Sequence, residues 1–352
     1  MRFLTDADAQ LVFAFWLGVV VVAMALVMLT VIVCMRKAML RRERIHRQAA
    51  MRWRKVLEEA AQGVAVSAPA LPARELTGFL EVWNQVHDGV GGRVVPGLQR
   101  IAREVDLARR LEGGLDHGGL HNRVVTLIAL GYLRNRGSFD RVARYLNDRS
   151  AIVSLSAARA LMLIDPSRAV AMFVPQIVLR QDWSQSGVAA ILKEAGPEAV
   201  SHELGEVALQ ANADVAPRLV RFLADVSPEA AAPVIRRILR SSHDEHLLST
   251  CLQVVTDTAE LPLVRELLGR ERWHVRMHAA SALGRIGAPD DEQRLLPLLA
   301  DAQWWVRYRA AQALARLPSV GDVELARIRA EQSDRFACDI LDQVIAEKAM
   351  GV

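Results

Sequence analysis

A fourteen-residue unit is written twice near the carboxyl end of this chain, and its spacing limits the fold more than any other feature. The first copy covers residues 273–286, opening on Trp273-His274-Val275-Arg276. The second covers residues 304–317, opening on Trp304-Trp305-Val306-Arg307, 31 residues later. A fixed period of roughly 20 to 50 residues marks a solenoid, because each unit can bury its apolar face only against its neighbours. Val306, Ala310, Ala311, Leu314 and Leu317 fall on one face at a 3.6-residue period, so the unit reads as a helix. Residues 290–299 supply a first helix before the second copy, and Pro289 is placed to start it.

The pattern V-R-x-x-A-A-x-A-L-G-x-I-G, met in full from Val275 to Gly287, resembles the HEAT repeat of the short bacterial type, named after phycobilisome lyases. The second copy departs where Ala315 replaces the glycine. The resemblance implies an all-α chain, a HEAT-type α-solenoid of stacked helix pairs. Leu314 anchors the phase, and leucines recur before it at Leu283, Leu252, Leu223, Leu192, Leu161 and Leu130, in steps of 31 or 29. Leu341 follows in a degenerate last unit, within an expected cap of residues 319–352. Asp301 and Asp148 each precede their anchor by 13, and Arg307, Arg276 and Arg123 precede theirs by seven. Pro297 and Pro175 keep phase inside first helices. Asp301 and Arg307 resemble the family's Asp–Arg ladder between repeats.

Residues 11–34 form 24 positions without a charge. At ~1.5 Å per residue that is about 36 Å of helix, enough for a hydrocarbon core of ~30 Å. A cleaved signal peptide would have a shorter apolar region with its basic residues before it, so a transmembrane helix over residues 11–35 is expected. Arg36, Lys37, Arg41, Arg42, Arg44, Arg47, Arg52, Arg54 and Lys55 then face a single acid, Glu43. Positive charge collects on the cytoplasmic side, so residues 1–10 are expected outside and the solenoid in the cytoplasm. With few lysines among the basic residues, the habit of a GC-rich bacterial genome, the expected address is a bacterial inner membrane. Arg36, Lys37, Arg41, Arg42, Arg44 and Arg47 are candidates for contact with anionic lipid. Residues 1–35 carry −1 and residues 36–55 carry +8, against a whole-chain charge of +4. The remainder is therefore mildly acidic, which argues against a nucleic-acid partner. Residues 36–61 read as a basic juxtamembrane helix and 62–73, with two prolines, as a linker. Residues 74–352 are expected to be the solenoid, opening on a capping pair over 74–113 and folding by themselves. Cys34, Cys251 and Cys338 are too scattered for a disulfide framework, which fits a reduced cytosolic domain.

Sites of chemistry are few. The resemblance extends to deoxyhypusine hydroxylase-like proteins, which bind iron through several His-Glu pairs, but only His202-Glu203 occurs here. No phosphate loop, nucleophile elbow or zinc motif appears, so neither catalysis nor a cofactor is expected. His243, His246, His274 and His278 sit at the starts of two successive second helices. His274 and His278, four apart, could share a metal, or all four could be solvated helix ends. Trp183, Trp273, Trp304 and Trp305 lie nine or ten residues before an anchor. They either plug the gap between paired helices or line a partner-binding edge. A further stripe includes Tyr132, Arg159, Arg218, Arg221, Arg285, Arg309, Gln312 and Arg316. By resemblance it lies on a concave face, as a solvated surface or as a groove for an acidic protein segment. The predicted function is a membrane-anchored cytoplasmic scaffold or adaptor with a protein partner. The layout is similar to bacterial membrane-anchored HEAT proteins associated with envelope-glycan synthesis. A lyase-type enzyme or enzyme-maturation factor is the alternative.

Overall fold

The computed structural model describes the backbone of residues 2–117 and 119–350, and side chains from residue 15 to 350 apart from residues 42, 112 and 116–118. Among the described residues every regular element is helical. The chain divides into two compact units, Met1–Ser138 and Phe139–Val352.

The first unit begins with α1 (Arg2–Ala61), followed by α2 (Leu76–Gly89), α3 (Pro96–Glu104), α4 (Leu107–Glu112), α5 (Gly114–His117) and α6 (Leu120–Leu133). From Phe15 to Met35 the side chains of α1 are exposed, as a lipid-facing surface would be. The end of α1 differs from the free juxtamembrane helix that its charge implies. Ala49, Trp53, Leu57 and Ala60 are at most 2 % exposed and pack on α2 and α3. Spaced by four, four and three, they form one apolar row among the arginines. Two glycines permit the approach. A Cβ on Gly78 of α2 would lie 2.8 Å from the His46 carbonyl oxygen, and one on Gly97 of α3 would lie 2.0 Å from that of Ala60. The structure thus carries the compact unit back across residues 62–72, which have no regular element, into α1. A chain starting at Ala73 would lack one wall of this core. Trp53, Phe79, Trp83, His87 and Tyr132 continue the core as a column of rings, with neighbouring centroids 4.2–5.9 Å apart.

The second unit alternates first and second helices. α7 (Phe139–Ala143) precedes α8 (Ala151–Ile164), α9 (Pro166–Leu179) precedes α10 (Gln185–Ala195), and α11 (Pro197–Gln210) precedes α12 (Ala216–Val226). Then α13 (Pro228–Ser241) leads to α14 (Glu245–Val254) and α15 (Leu261–Leu267) to α16 (Trp273–Ile286). Finally α17 (Glu292–Leu295) leads to α18 (Trp304–Arg316) and α19 (Asp322–Glu331) to α20 (Arg335–Ala349). Leu161, Leu192, Leu223, Leu252, Leu283, Leu314 and Leu341 lie one on each second helix and are at most 1 % exposed. Fully burying a leucine stabilises by ~1.5–3 kcal/mol, so the periodic leucines form a spine of the unit. Pro175 sits inside α9, while at Pro297 the helix gives way to a 3-10 turn over Leu296–Ala300. Between α16 and α18 the backbones nearly touch: a Cβ on Gly284 would meet the Ala313 Cα at 2.8 Å.

Candidate partner-binding surface

The second helices carry the polar side chains singled out by phase, and the structure sorts them. Arg221 of α12 is exposed and donates to the Gln253 Oε1 of α14 at 3.1 Å. The Gln253 amide lies 3.0 Å from the His278 Nε2 of α16. Burial, reinforced by the positive charges of Arg309, His274, Arg285 and Arg221, pushes the His278 pKa down to about 4. The imidazole is therefore neutral at pH 7 and can accept a hydrogen bond from Gln253. Three of those charges, Arg221, Arg285 and Arg309, come from three different helices.

Arg285 is exposed, donating to the Leu252 carbonyl at 2.5 Å and to that of Ser281 at 3.3 Å. Burial and the charge of Arg316 lower its pKa. Arg309 donates to the Gln312 Oε1 at 2.9 Å, and the Gln312 amide donates to the Tyr308 hydroxyl at 2.8 Å. Tyr308 in turn donates to Glu347 of α20 at 2.9 Å, an acid that closes one end of the basic surface. Arg316 is exposed and, among the described residues, has neither a hydrogen bond nor an ion pair. A cation cluster with one unpaired member and partly desolvated neighbours is a surface that attracts carboxylates.

Other members of the stripe belong to the scaffold. Arg218 is a correction: it is half-buried, reaches the Trp183 carbonyl at 3.4 Å and lies over the Phe222 ring, so it ties neighbouring pairs together. Arg159 is held by Glu194 at 2.7 Å, and Tyr132 is buried in the first unit, donating to Asp88. Arg276 and Asp301 form a bidentate pair at 2.8 and 2.9 Å across successive repeats, while Arg307 donates to the Asp301 carbonyl. A second ladder escaped the sequence reading. Glu260 and Asp291, both 0 % exposed and 31 residues apart, bind Arg236 and Arg265 respectively, each at 2.6 Å. Burial raises the Asp291 carboxyl pKa, but the Arg265 hydrogen bonds, the Ala288 N–H and the Arg294 charge more than offset it, leaving it below the usual value.

The tryptophans split likewise. Trp183 is a correction to the edge reading. It is 3 % exposed, stacks on Phe173 with centroids 5.7 Å apart and donates its indole N–H to the Ser154 Oγ at 2.8 Å. α10 begins only at Gln185, so Trp183 lies in the preceding turn and points inward. Trp273, Trp304 and Trp305 start their helices and are 37 %, 41 % and 50 % exposed, with Trp304 stacked on Tyr308 at 5.0 Å. His243, His246, His274 and His278 line a groove of about 620 Å³. His274 Nε2 is 3.2 Å from Glu245, which also pairs with Arg272. Among the described residues no three His, Cys, Asp or Glu side chains have the geometry to hold a metal. His202 is exposed on α11 beside half-buried Glu203. On α1, Arg36, Lys37, Arg41 and Arg44 are exposed, Arg47 pairs with Glu43, and the Arg42 side chain lies outside the described residues.

Repeated pairs with buried anchors and inter-repeat ladders define a helical-repeat protein of the α-solenoid class. Residues 249–315 match the family model described as HEAT repeats. No curated protein matches the chain. Among solved structures it is similar to human deoxyhypusine hydroxylase in complex with glycerol, at 16 % identity and a TM-score of 0.29, over 78 % of this chain and 97 % of that one. It is also similar to a crystal structure of Kap121p, at 10 % identity and a TM-score of 0.43, over 83 % of this chain and 37 % of that one. A homology model of the full-length AP-3 complex is matched at 16 % identity and a TM-score of 0.39, over 81 % of this chain and 53 % of that one.

Proposed function

We propose that this protein is a membrane-anchored cytoplasmic scaffold that holds an acidic segment of a protein partner on the basic face of α12, α16 and α18. The observation that carries the reading is exposed Arg221 linked to His278 through Gln253, with Arg285, Arg309 and, unpaired among the described residues, Arg316 on the adjoining α16 and α18. Guanidinium groups bind carboxylates in bidentate geometry, and a partly desolvated cluster strengthens each contact. The anchor is α1, long and apolar enough to cross a bilayer and followed by a basic run that favours an outside amino terminus. The layout's resemblance to proteins beside envelope-glycan synthesis makes such a complex the partner class to seek first.

The test compares affinity capture from membranes with the full-length chain and with Arg309→Ala/Arg316→Ala. Loss of an acidic partner at an unchanged melting temperature is expected. A partner retained by that variant but lost with Trp304→Ala would move the interface to the exposed tryptophans. A reporter active only outside the cytoplasm should work at the amino terminus and fail after Val352, and the opposite result would overturn the orientation.

A further inference from the structure

Beside the end of α1 lies a cleft of about 350 Å³, built within the first unit from two separate stretches of chain. Arg41, Ile45, Gln48, Ala49 and Arg52 line it from α1, at the four- and seven-residue spacings of one helical face. Arg74 and Glu75 close it from the short 3-10 turn Ala73–Glu75. The charges are unequal. Arg52 donates to Glu75 and, at 3.2 Å, to the Ala70 carbonyl, so the one acid of the cleft is already paired. Arg41 and Arg74 are exposed and, among the described residues, make no hydrogen bond or ion pair. The cleft thus has two unpartnered guanidinium groups beside a neutralised pair, over a floor closed by the 2 % exposed Ala49. That arrangement suits a tetrahedral anion with several oxygens, which planar guanidinium groups bind two at a time.

Position along α1 selects the source of the anion. The uncharged stretch ends at Met35, and Arg41 follows six residues later, ~9 Å along the helix at 1.5 Å per residue. Headgroups extend ~5–8 Å beyond each side of a hydrocarbon core of ~30 Å. Arg41 therefore meets the outer edge of the headgroup layer, and Arg74 comes to the same helical face from the folded unit.

We propose that the cleft between Arg41 and Arg74 binds the phosphate of an anionic phospholipid headgroup. The inference rests on α1 crossing the membrane, and it adds to the diffuse attraction of the basic run a defined site that includes a residue outside that run. The bound lipid would hold the 3-10 turn against α1 at the bilayer surface.

The experiment uses the full-length chain in nonionic detergent, with headgroup-labelled phosphatidylglycerol and phosphatidylcholine as probes and inorganic phosphate as a third arm. Phosphatidylglycerol should bind more tightly than phosphatidylcholine. Arg74→Ala should weaken it about fivefold, ~1 kcal/mol at 1.4 kcal/mol per tenfold and the usual worth of one cation at a membrane surface. Arg93→Ala, a removal of equal charge from the exposed surface of the same unit outside the cleft and the basic run, should change it less than twofold. Equal losses for Arg74→Ala and Arg93→Ala would overturn the site in favour of diffuse attraction. Inorganic phosphate that binds at the affinity of the lipid would overturn the headgroup as its source. Alkaline carbonate extraction of cell membranes keeps the two claims apart: release of the protein sinks the membrane reading, whereas a retained protein indifferent to Arg74→Ala sinks only the cleft.

Discussion

Trp53→Ala tests the claim that the end of α1 is part of the first unit's core. The indole is 0 % exposed and meets Phe79 edge-on, with centroids 4.7 Å apart. Removing a buried tryptophan costs ~3–5 kcal/mol, a figure that includes the aromatic contact. Against a typical domain stability of ~5–15 kcal/mol, that is more than half of the total at the low end. Among the described residues the indole N–H has no hydrogen-bond partner, so Trp53→Phe loses volume alone and should cost roughly 1–2 kcal/mol. Met51, 68 % exposed on the same helix, supplies the control, with Met51→Ala expected within ~0.5 kcal/mol. Hydrogen exchange of the full-length chain in detergent reads the loss locally. At 1.4 kcal/mol per tenfold, amides of α2 and α3 should exchange ~100- to several-thousandfold faster in Trp53→Ala. Unchanged exchange there, or a chain starting at residue 74 that protects α2 and α3 as fully as the whole protein, would show that the helix end is an accessory.

Three further expectations follow from the second unit. Gly284→Ala places a Cβ 2.8 Å from the Ala313 Cα and should destabilise by ~1–3 kcal/mol in urea unfolding; a neutral result would mean that α16 and α18 can separate freely. Leu314→Asp buries a charge on the spine and should cost several times the ~1 kcal/mol of an ordinary substitution, whereas Arg309→Ala should stay within ~0.5 kcal/mol by the same measurement. His278 has a folded-state pKa near 4 against 6.5 for the free side chain, so the unfolded chain binds the extra proton first. Stability should therefore fall as pH drops from about 6.5 towards 4, and His278→Gln should flatten the melting temperature over that window, the part due to buried His87 persisting. An unaltered pH profile would remove His278 from the account.

The repeat was legible because one residue type marks one structural position. Each second helix places a leucine where both neighbours cover it, so Leu161 to Leu341 could be phased by counting. The second ladder was less visible because its buried acids differ: glutamate at 260 and aspartate at 291 do not look like one repeated residue. Trp183 and Trp305 share a phase, yet one is buried and the other exposed, because α10 starts after its tryptophan and α18 includes its own. The largest gap was at α1, where nine basic residues mask a row of one apolar side chain per turn. Charge set only an expectation of membrane side for that segment, and only packing told that it is also core. The basic surface was half-legible: phase collected the arginines, but separating free Arg316 from the structural Arg218 needed their neighbours in space.

On the proposed reading that its apolar part crosses a bilayer, the unbroken run of α1 into the first unit would make the helix a rigid lever. A helix whose apolar stretch exceeds the local hydrocarbon thickness takes up the excess by tilting, commonly by ~20°. With no break between Arg2 and Ala61, and with backbone contacts at Gly78 and Gly97 holding its far end, that angle has no joint in which to dissipate. Over the ~38 Å between residues 35 and 60, at 1.5 Å per residue, a ~20° lean displaces the far end sideways by roughly 13 Å. Membrane thickness would then be converted into the lateral position of a folded body, and a thinner or thicker bilayer would aim that body at different neighbours.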